Sequence, residues 1–160
     1  MSTFIRIGQF AHLYFLDGNG RRKSVYYYQN ALPNQGKTFE GVRHSYLGFV
    51  YQGATKNRTG DNIEADIILS TNEISTTLSR ELLAKRHYAI VTTVQFDNGN
   101  NIVRTLTKDY WTVASLTYDA ENIEIILSSA IDAVGAQAPN KVLTRDRVGD
   151  LPVTANIIVK

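Results

Sequence analysis

The sequence predicts a mainly β domain: an antiparallel small barrel or sandwich with one short helix over about residues 75–86 and an extended C-terminal arm. Three observations carry this. Short runs rich in β-branched and aromatic residues recur along the chain. Between them stand clusters of Asp, Asn and Gly, the residues that accept turn geometries. Only one stretch carries apolar residues at helical spacing. A chain of 160 residues, 43% hydrophobic and 20% charged, suits one domain with a real core.

In chain order, FAHLYFLD (Phe10–Asp17) is strand-like with neither face clearly polar, which predicts burial on both sides or against a partner. Asp17-Gly18-Asn19-Gly20 is a strong turn signal, and Ser24–Tyr28 resumes as a strand, so residues 10–28 read as a hairpin. Asn30–Gly36 is a loop, and Lys37–Val42 a short extended piece. Tyr46–Tyr51 and Ile63–Ser70 read as two strands joined by the polar connection Gln52–Asn62, in which Asp61 and Asn62 shape the turn back. Ser75–Arg86 is the one convincing helix: Ser75 stands at the N-cap, Leu78, Leu82 and Leu83 form the stripe, and Lys85-Arg86 close it where the macrodipole favours cations. Tyr88–Phe96, the turn Asp97–Asn101, the alternating run Ile102–Lys108, a longer strand to Tyr118, the turn Asp119–Asn122 and Ile123–Ser128 follow. The domain thus spans 1–130. From 131 to 160 period-2 alternation fades, and the segment reads as an arm packing on the domain or on a neighbouring subunit.

The search for chemistry is brief. The net charge of +2 is too small for a nucleic-acid binder, and the basic run Arg21-Arg22-Lys23 reads as solvated charge at a hairpin tip. With no cysteine, disulfides and thiolate metal sites are excluded. No apolar run approaches the ~18 residues of a membrane helix, and no signal peptide is expected, so the reading is a soluble protein made in a cytoplasm. His12, His44 and His87 show no metal-ligand spacing and read as surface or satisfied core imidazoles. No G-x-S-x-G, P-loop or G-x-G-x-x-G occurs. Glu64 and Asp66 alternate with Ile63, Ala65 and Ile67 as on a half-solvated strand, so paired-carboxylate hydrolysis is disfavoured. No enzyme, cofactor or metal is expected.

An interaction surface is expected instead. Val25-Tyr26-Tyr27-Tyr28 lacks clean in/out alternation, and the arm holds Val142, Leu143 and Leu151, more apolar content than a disordered tail carries. Tyr26, Tyr27, Tyr28, Lys56, Arg58, Val142, Leu143 and Leu151 are the candidate interface residues. The alternative is a small β-barrel module for a carbohydrate or peptide, with Tyr26, Tyr27, Tyr28 and Trp111 as its stacking platform.

The order of these features resembles that of tail-tip proteins of tailed bacteriophages, above all the amino-terminal domain of the minor tail protein L family of lambda-like phages. The matching pieces are FAHLYFLD, SVYYY, G-K-T-F-E-G-V, the strand G-F-x-Y-Q-G (Gly48–Gly53) and Leu69-x-x-Asn72. Leu127–Asp132 and the proline-then-arginine stretch Pro139–Arg145 complete them. Together they span roughly residues 10–150. The family usually continues into a cysteine-bearing domain that holds an iron–sulfur cluster; a chain without cysteine cannot form one.

What the resemblance implies is a structural virion protein of the tail tip or baseplate, assembled in the host cytoplasm. It would form part of a symmetric ring, as a trimer or hexamer, that joins the distal tail tube to the hub or fibre complex. Its partners would be other tail proteins and its own copies, without nucleic acid or membrane.

Overall fold

The computed structural model describes residues 5–56 and 63–129. In chain order its elements are β1 (Arg6–Leu16), β2 (Arg22–Gln29), β3 (Lys37–Phe39), β4 (Val42–Tyr46), β5 (Phe49–Lys56) and β6 (Ile63–Ser70). They continue as α1 (Glu73–Ala84), β7 (His87–Phe96), β8 (Ile102–Tyr118) and β9 (Asn122–Ser128). The fold is mainly β with one short helix, as the sequence predicts. One nine-stranded sheet takes the order β3-β4-β2-β1-β7-β8-β9-β6-β5. Every pairing is antiparallel except β2 with β4.

The sheet is rolled without being closed by a ladder among the described residues. β4 lies near one end of the strand order and β5 at the other, yet only Leu47 and Gly48 separate them in the chain. That link spans at most about 10 Å, so the ends of the sheet must come round to meet. Two bonds tie them: Leu47 N–H donates to the Gln29 carbonyl at 2.9 Å, and Asn30 Nδ2 donates to the Phe49 carbonyl at 3.0 Å. Tyr46–Tyr51, expected as one strand, is therefore broken at this corner.

The roll encloses the main core. Ala11 and Leu13 of β1, Phe49 and Tyr51 of β5, and Ile67 and Leu69 of β6 meet Val91, Trp111, Ile125 and Leu127 there. Leu78 and Leu82 of α1 close it. On β1 the alternate residues face the other way, where Phe10 joins Val94 and Phe96 in a second cluster with Phe39 packed against it. β1 is thus buried on both sides, which explains the absence of a polar face in FAHLYF.

Gly8 allows β1 to pass beneath the 30–36 loop. A Cβ at this buried position would strike the Ala31 methyl and stand 2.6 Å from Phe96 Cε2. Gly8→Ala is expected to cost about 1–3 kcal/mol through overpacking, read by urea denaturation. Unchanged stability would show that the loop yields freely.

The turns follow from their aspartates. Asp17 Oδ1 accepts from the Asn19 and Arg21 amides, Asp97 Oδ1 from Gly99 and Asn101, and Asp119 Oδ1 from Glu121 and Asn122. Each carboxyl is held below the ordinary carboxylate range, chiefly by the amides of Arg21, Asn101 and Asn122 respectively.

The helix begins two residues earlier than its periodicity predicts. Asn72, not Ser75, is the N-cap: its side chain accepts from Ser75 N–H at 2.9 Å, while Ser75 Oγ accepts from Asn72 N–H at 2.8 Å. This reciprocal box fixes the first turn. Ser75 is buried inside the helix, and Lys85 and Arg86 lie beyond its last residue, Ala84. The arm from 131 to 160, and with it the proposed domain boundary, lies outside the described residues.

Candidate functional surfaces

β8 positions the surfaces of interest. Its 17 residues run about 50 Å at a strand's rise, so it touches most of the molecule. Read in the sequence as an alternating run (Ile102–Lys108) followed by a longer strand to Tyr118, it is one continuous strand because β7 pairs with its first half and β9 with its second.

Large apolar side chains are left exposed at both ends. Leu83 of α1 and Tyr118 at the end of β8 are 62% and 66% exposed, and both line a crevice of about 270 Å³ with Arg80 and Ile123. Leu83 belongs to the apolar stripe expected for the helix, but only Leu78 and Leu82 of that stripe are buried. At the other end, Ile7 is 55% and Val103 57% exposed. Ile7 sits opposite Gln95, which sits opposite Arg104, so the two lie on the strands that flank β7, in one region of the sheet.

A groove of about 260 Å³ lies on the second face. The β3–β4 hairpin turns at Glu40 and Gly41, whose φ angles of 47° and 79° match the left-handed pair a tight hairpin requires. From this turn Glu40 Oε1 reaches Lys108 Nζ on β8 at 2.7 Å, holding the hairpin over β1 and β7. Beneath it Phe10 stacks on Phe39 at 4.5 Å and Tyr27 on His12 at 4.4 Å, with His44 edge-on to both Phe10 and Tyr27. Arg22 also lines the groove, its guanidinium 4.6 Å above the Tyr14 ring, so part of the basic run expected as solvated loop charge is packed on an aromatic face.

The histidines are not all satisfied. His44 donates through Nδ1 to the Val42 carbonyl at 3.0 Å, whereas the buried Nε2 atoms of His12 and His87 have no hydrogen-bond partner. Among the described residues no group of three or more His, Asp or Glu side chains is arranged to hold a metal. Burial pushes both His12 and His44 below the ordinary imidazole value of 6.5, and Arg22 adds to the effect at His12. The native state then binds fewer protons than the unfolded chain once pH falls below 6.5, and stability is lost in that direction. The urea midpoint is expected to drop between pH 7 and pH 5, with a shallower drop in His12→Gln. An identical pH slope in that variant would remove His12 as a cause.

The residues singled out from sequence distribute as follows. Tyr26 and Tyr28 stack on each other at 5.8 Å and pack against the main core, while Tyr27 faces the groove. Trp111 is in the main core, donating Nε1–H to Tyr51 Oη at 2.8 Å. Tyr26, Tyr27, Tyr28 and Trp111 therefore form no single stacking platform. Lys56 ends β5; its side chain, together with Arg58, Val142, Leu143 and Leu151, lies outside the described residues. Sequence reasoning missed the Glu40–Lys108 latch because its partners are 68 residues apart and neither stands in a motif.

Among the described residues no helix is long and apolar enough to cross a membrane. No protein-family model matches the chain, and no curated protein matches it.

Proposed function

We propose that this chain is a structural assembly subunit, a tailed-phage tail-tip or baseplate component that forms part of a ring joining the distal tube to the hub. The observation that carries the assembly reading is the exposure of large apolar side chains at both ends of β8: Leu83 and Tyr118 at one, Ile7 and Val103 at the other. A closed ring repeats one head-to-tail contact, so each subunit needs two different complementary surfaces. Apolar patches on a soluble subunit mark such contacts. The setting in a phage tail comes from the resemblance of FAHLYFLD, SVYYY and the Gly48–Gly53 strand to the tail-tip family.

Charge placed on one surface tests this. Leu83→Asp and Ile7→Asp are each expected to abolish assembly alone, and mixing the two is expected to restore a single contact and give dimers. Two variants that assemble like the wild type, or a mixture that stays monomeric, would contradict the head-to-tail arrangement. A second reading, a binding module, is favoured by the groove, where Tyr27, Tyr110 and Phe39 rings line the same space as Arg22 and Lys108. Saturable binding of an acidic sugar such as glucuronate, lost in Arg22→Ala, would support that reading.

A further inference from the structure

Two polar groups on the wall of the groove are unused among the described residues. His12 Nε2 is buried without a hydrogen-bond partner, and a buried polar atom in that state calls for a reason. The Arg22 guanidinium lies 4.6 Å from the Tyr14 ring centroid but has no carboxylate: the ion pairs of the described residues are Lys23–Asp17 and Lys108–Glu40. Both groups line the groove, and Arg22 is the charge that acts most strongly on the His12 ring. Glu40, the one carboxylate in the lining, is spent on Lys108 at 2.7 Å. The groove therefore keeps one cation and one orphaned imidazole nitrogen for something anionic. Its rings are mostly spent on one another, Phe10 on Phe39 and His12 on Tyr27, with His44 edge-on to Phe10 and Tyr27. Tyr110 enters none of these pairs and is 59% exposed, so its face is free. A space of about 260 Å³ is small for a ligand pocket and suits a single ring.

We propose that the groove takes the carboxylate of a single acidic sugar, bridged between Arg22 and His12 Nε2, with the sugar ring packed on Tyr110. The proposal rests on the binding-module reading and adds to it the contact made by His12, which carries a consequence for pH. His12 shares the groove with Arg22 and Tyr27 of β2, Glu40 and His44 of the β3–β4 hairpin, and Lys108 and Tyr110 of β8, while β7 brings only the uncharged Ile90 and Thr92. In the empty groove burial, and next Arg22, hold His12 below 6.5, so its ring is neutral at pH 7.5. A bound carboxylate offsets the Arg22 charge and accepts from the ring, which favours the imidazolium. Binding then takes up a proton, and by linkage a lower pH tightens it. The sugar carboxyl, which titrates near the other carboxyls, stays ionised throughout.

Calorimetric titration of the full chain with glucuronate at pH 7.5 and pH 6.0 tests this, with circular dichroism confirming that each protein is folded at both. Wild-type affinity is expected to rise at least about threefold at the lower pH, and uncharged glucose is expected not to bind. Arg22→Ala is expected to lose binding at both pH values. In His12→Gln, whose amide can still donate, binding at pH 7.5 is expected to stay within about threefold of wild type while the gain at pH 6.0 disappears. Glucose binding as tightly as glucuronate, no gain in the wild type, or a gain that persists in His12→Gln overturns the proposal and leaves the binding module standing. No glucuronate binding at either pH overturns both. The assembly reading is separate, since Leu83, Tyr118, Ile7 and Val103 are not in the lining of this groove.

Discussion

Gln29→Ala is expected to destabilise the fold by about 3 kcal/mol, since each buried group left without a partner costs roughly 1–3 kcal/mol and solvent entering the gap recovers part. Gln29 is fully buried and uses its whole side-chain amide on the 30–36 loop. Nε2 donates to the carbonyls of Leu32 and Gln35 at 2.9 and 2.8 Å. Oε1 accepts from the amides of Ala31 and Leu32, both at 2.8 Å. Truncation strands two carbonyls and two amides beneath a loop that also covers Phe10, Val94 and Phe96. Gln29→Glu is expected to fare little better at neutral pH, because a carboxylate has no hydrogen to give the two carbonyls. Urea denaturation reads the loss, and exchange at Ala31 and Leu32 shows whether the loop lets go first. A cost under about 0.5 kcal/mol, the range of an ordinary surface substitution, would show that the loop is held by something else.

Trp111→Ala is expected to cost about 3–5 kcal/mol, the range for removing a large buried aromatic, and to lower Tm by roughly 10 °C for a domain of this size. The indole fills the space between the two arms of the rolled sheet. In strand order β5 and β8 are three positions apart, about 14 Å in a flat sheet. Yet Trp111 Nε1 donates to Tyr51 Oη at 2.8 Å, and Tyr51 Oη donates to Asp109 Oδ2 at 3.0 Å. These bonds exist only because the sheet curls. Burial, and next its donation to Asp109, push the Tyr51 phenol well above its ordinary value, so it stays a donor. Tyr51→Phe keeps the ring and removes the oxygen, and is expected to cost about 1–3 kcal/mol. A Tyr51→Phe loss equal to that of Trp111→Ala would place the energy in the polar chain, not in the packed indole.

The comparison of sequence with structure separates by distance along the chain. Features set by near neighbours were legible: Asp17, Asp97 and Asp119 announce their turns, the bounds of β6 follow from its β-branched run, and the two-sided burial of β1 follows from its missing polar face. The helix was visible, but its start was misplaced because Ser75 and Asn72 are both good caps and only packing reveals which one is buried. Features set by remote pairs were not legible. The break at Leu47-Gly48 serves the roll, which no local pattern encodes. Trp111 looked as suited to a surface as to a core until Tyr51, 60 residues away, supplied its partner. His12 and His44 converge on one groove without any shared motif, because β2 stands between β1 and the β3–β4 hairpin in the strand order and only the fold brings the two rings to one face.

Sedimentation velocity of the full chain across a hundredfold range of concentration tests the assembly claim most directly. Reversible growth to a discrete closed species is expected, weakened by Tyr118→Asp as by Leu83→Asp, since the two side chains line one crevice. A sharp monomer at every concentration, with and without the charged substitutions, would contradict it.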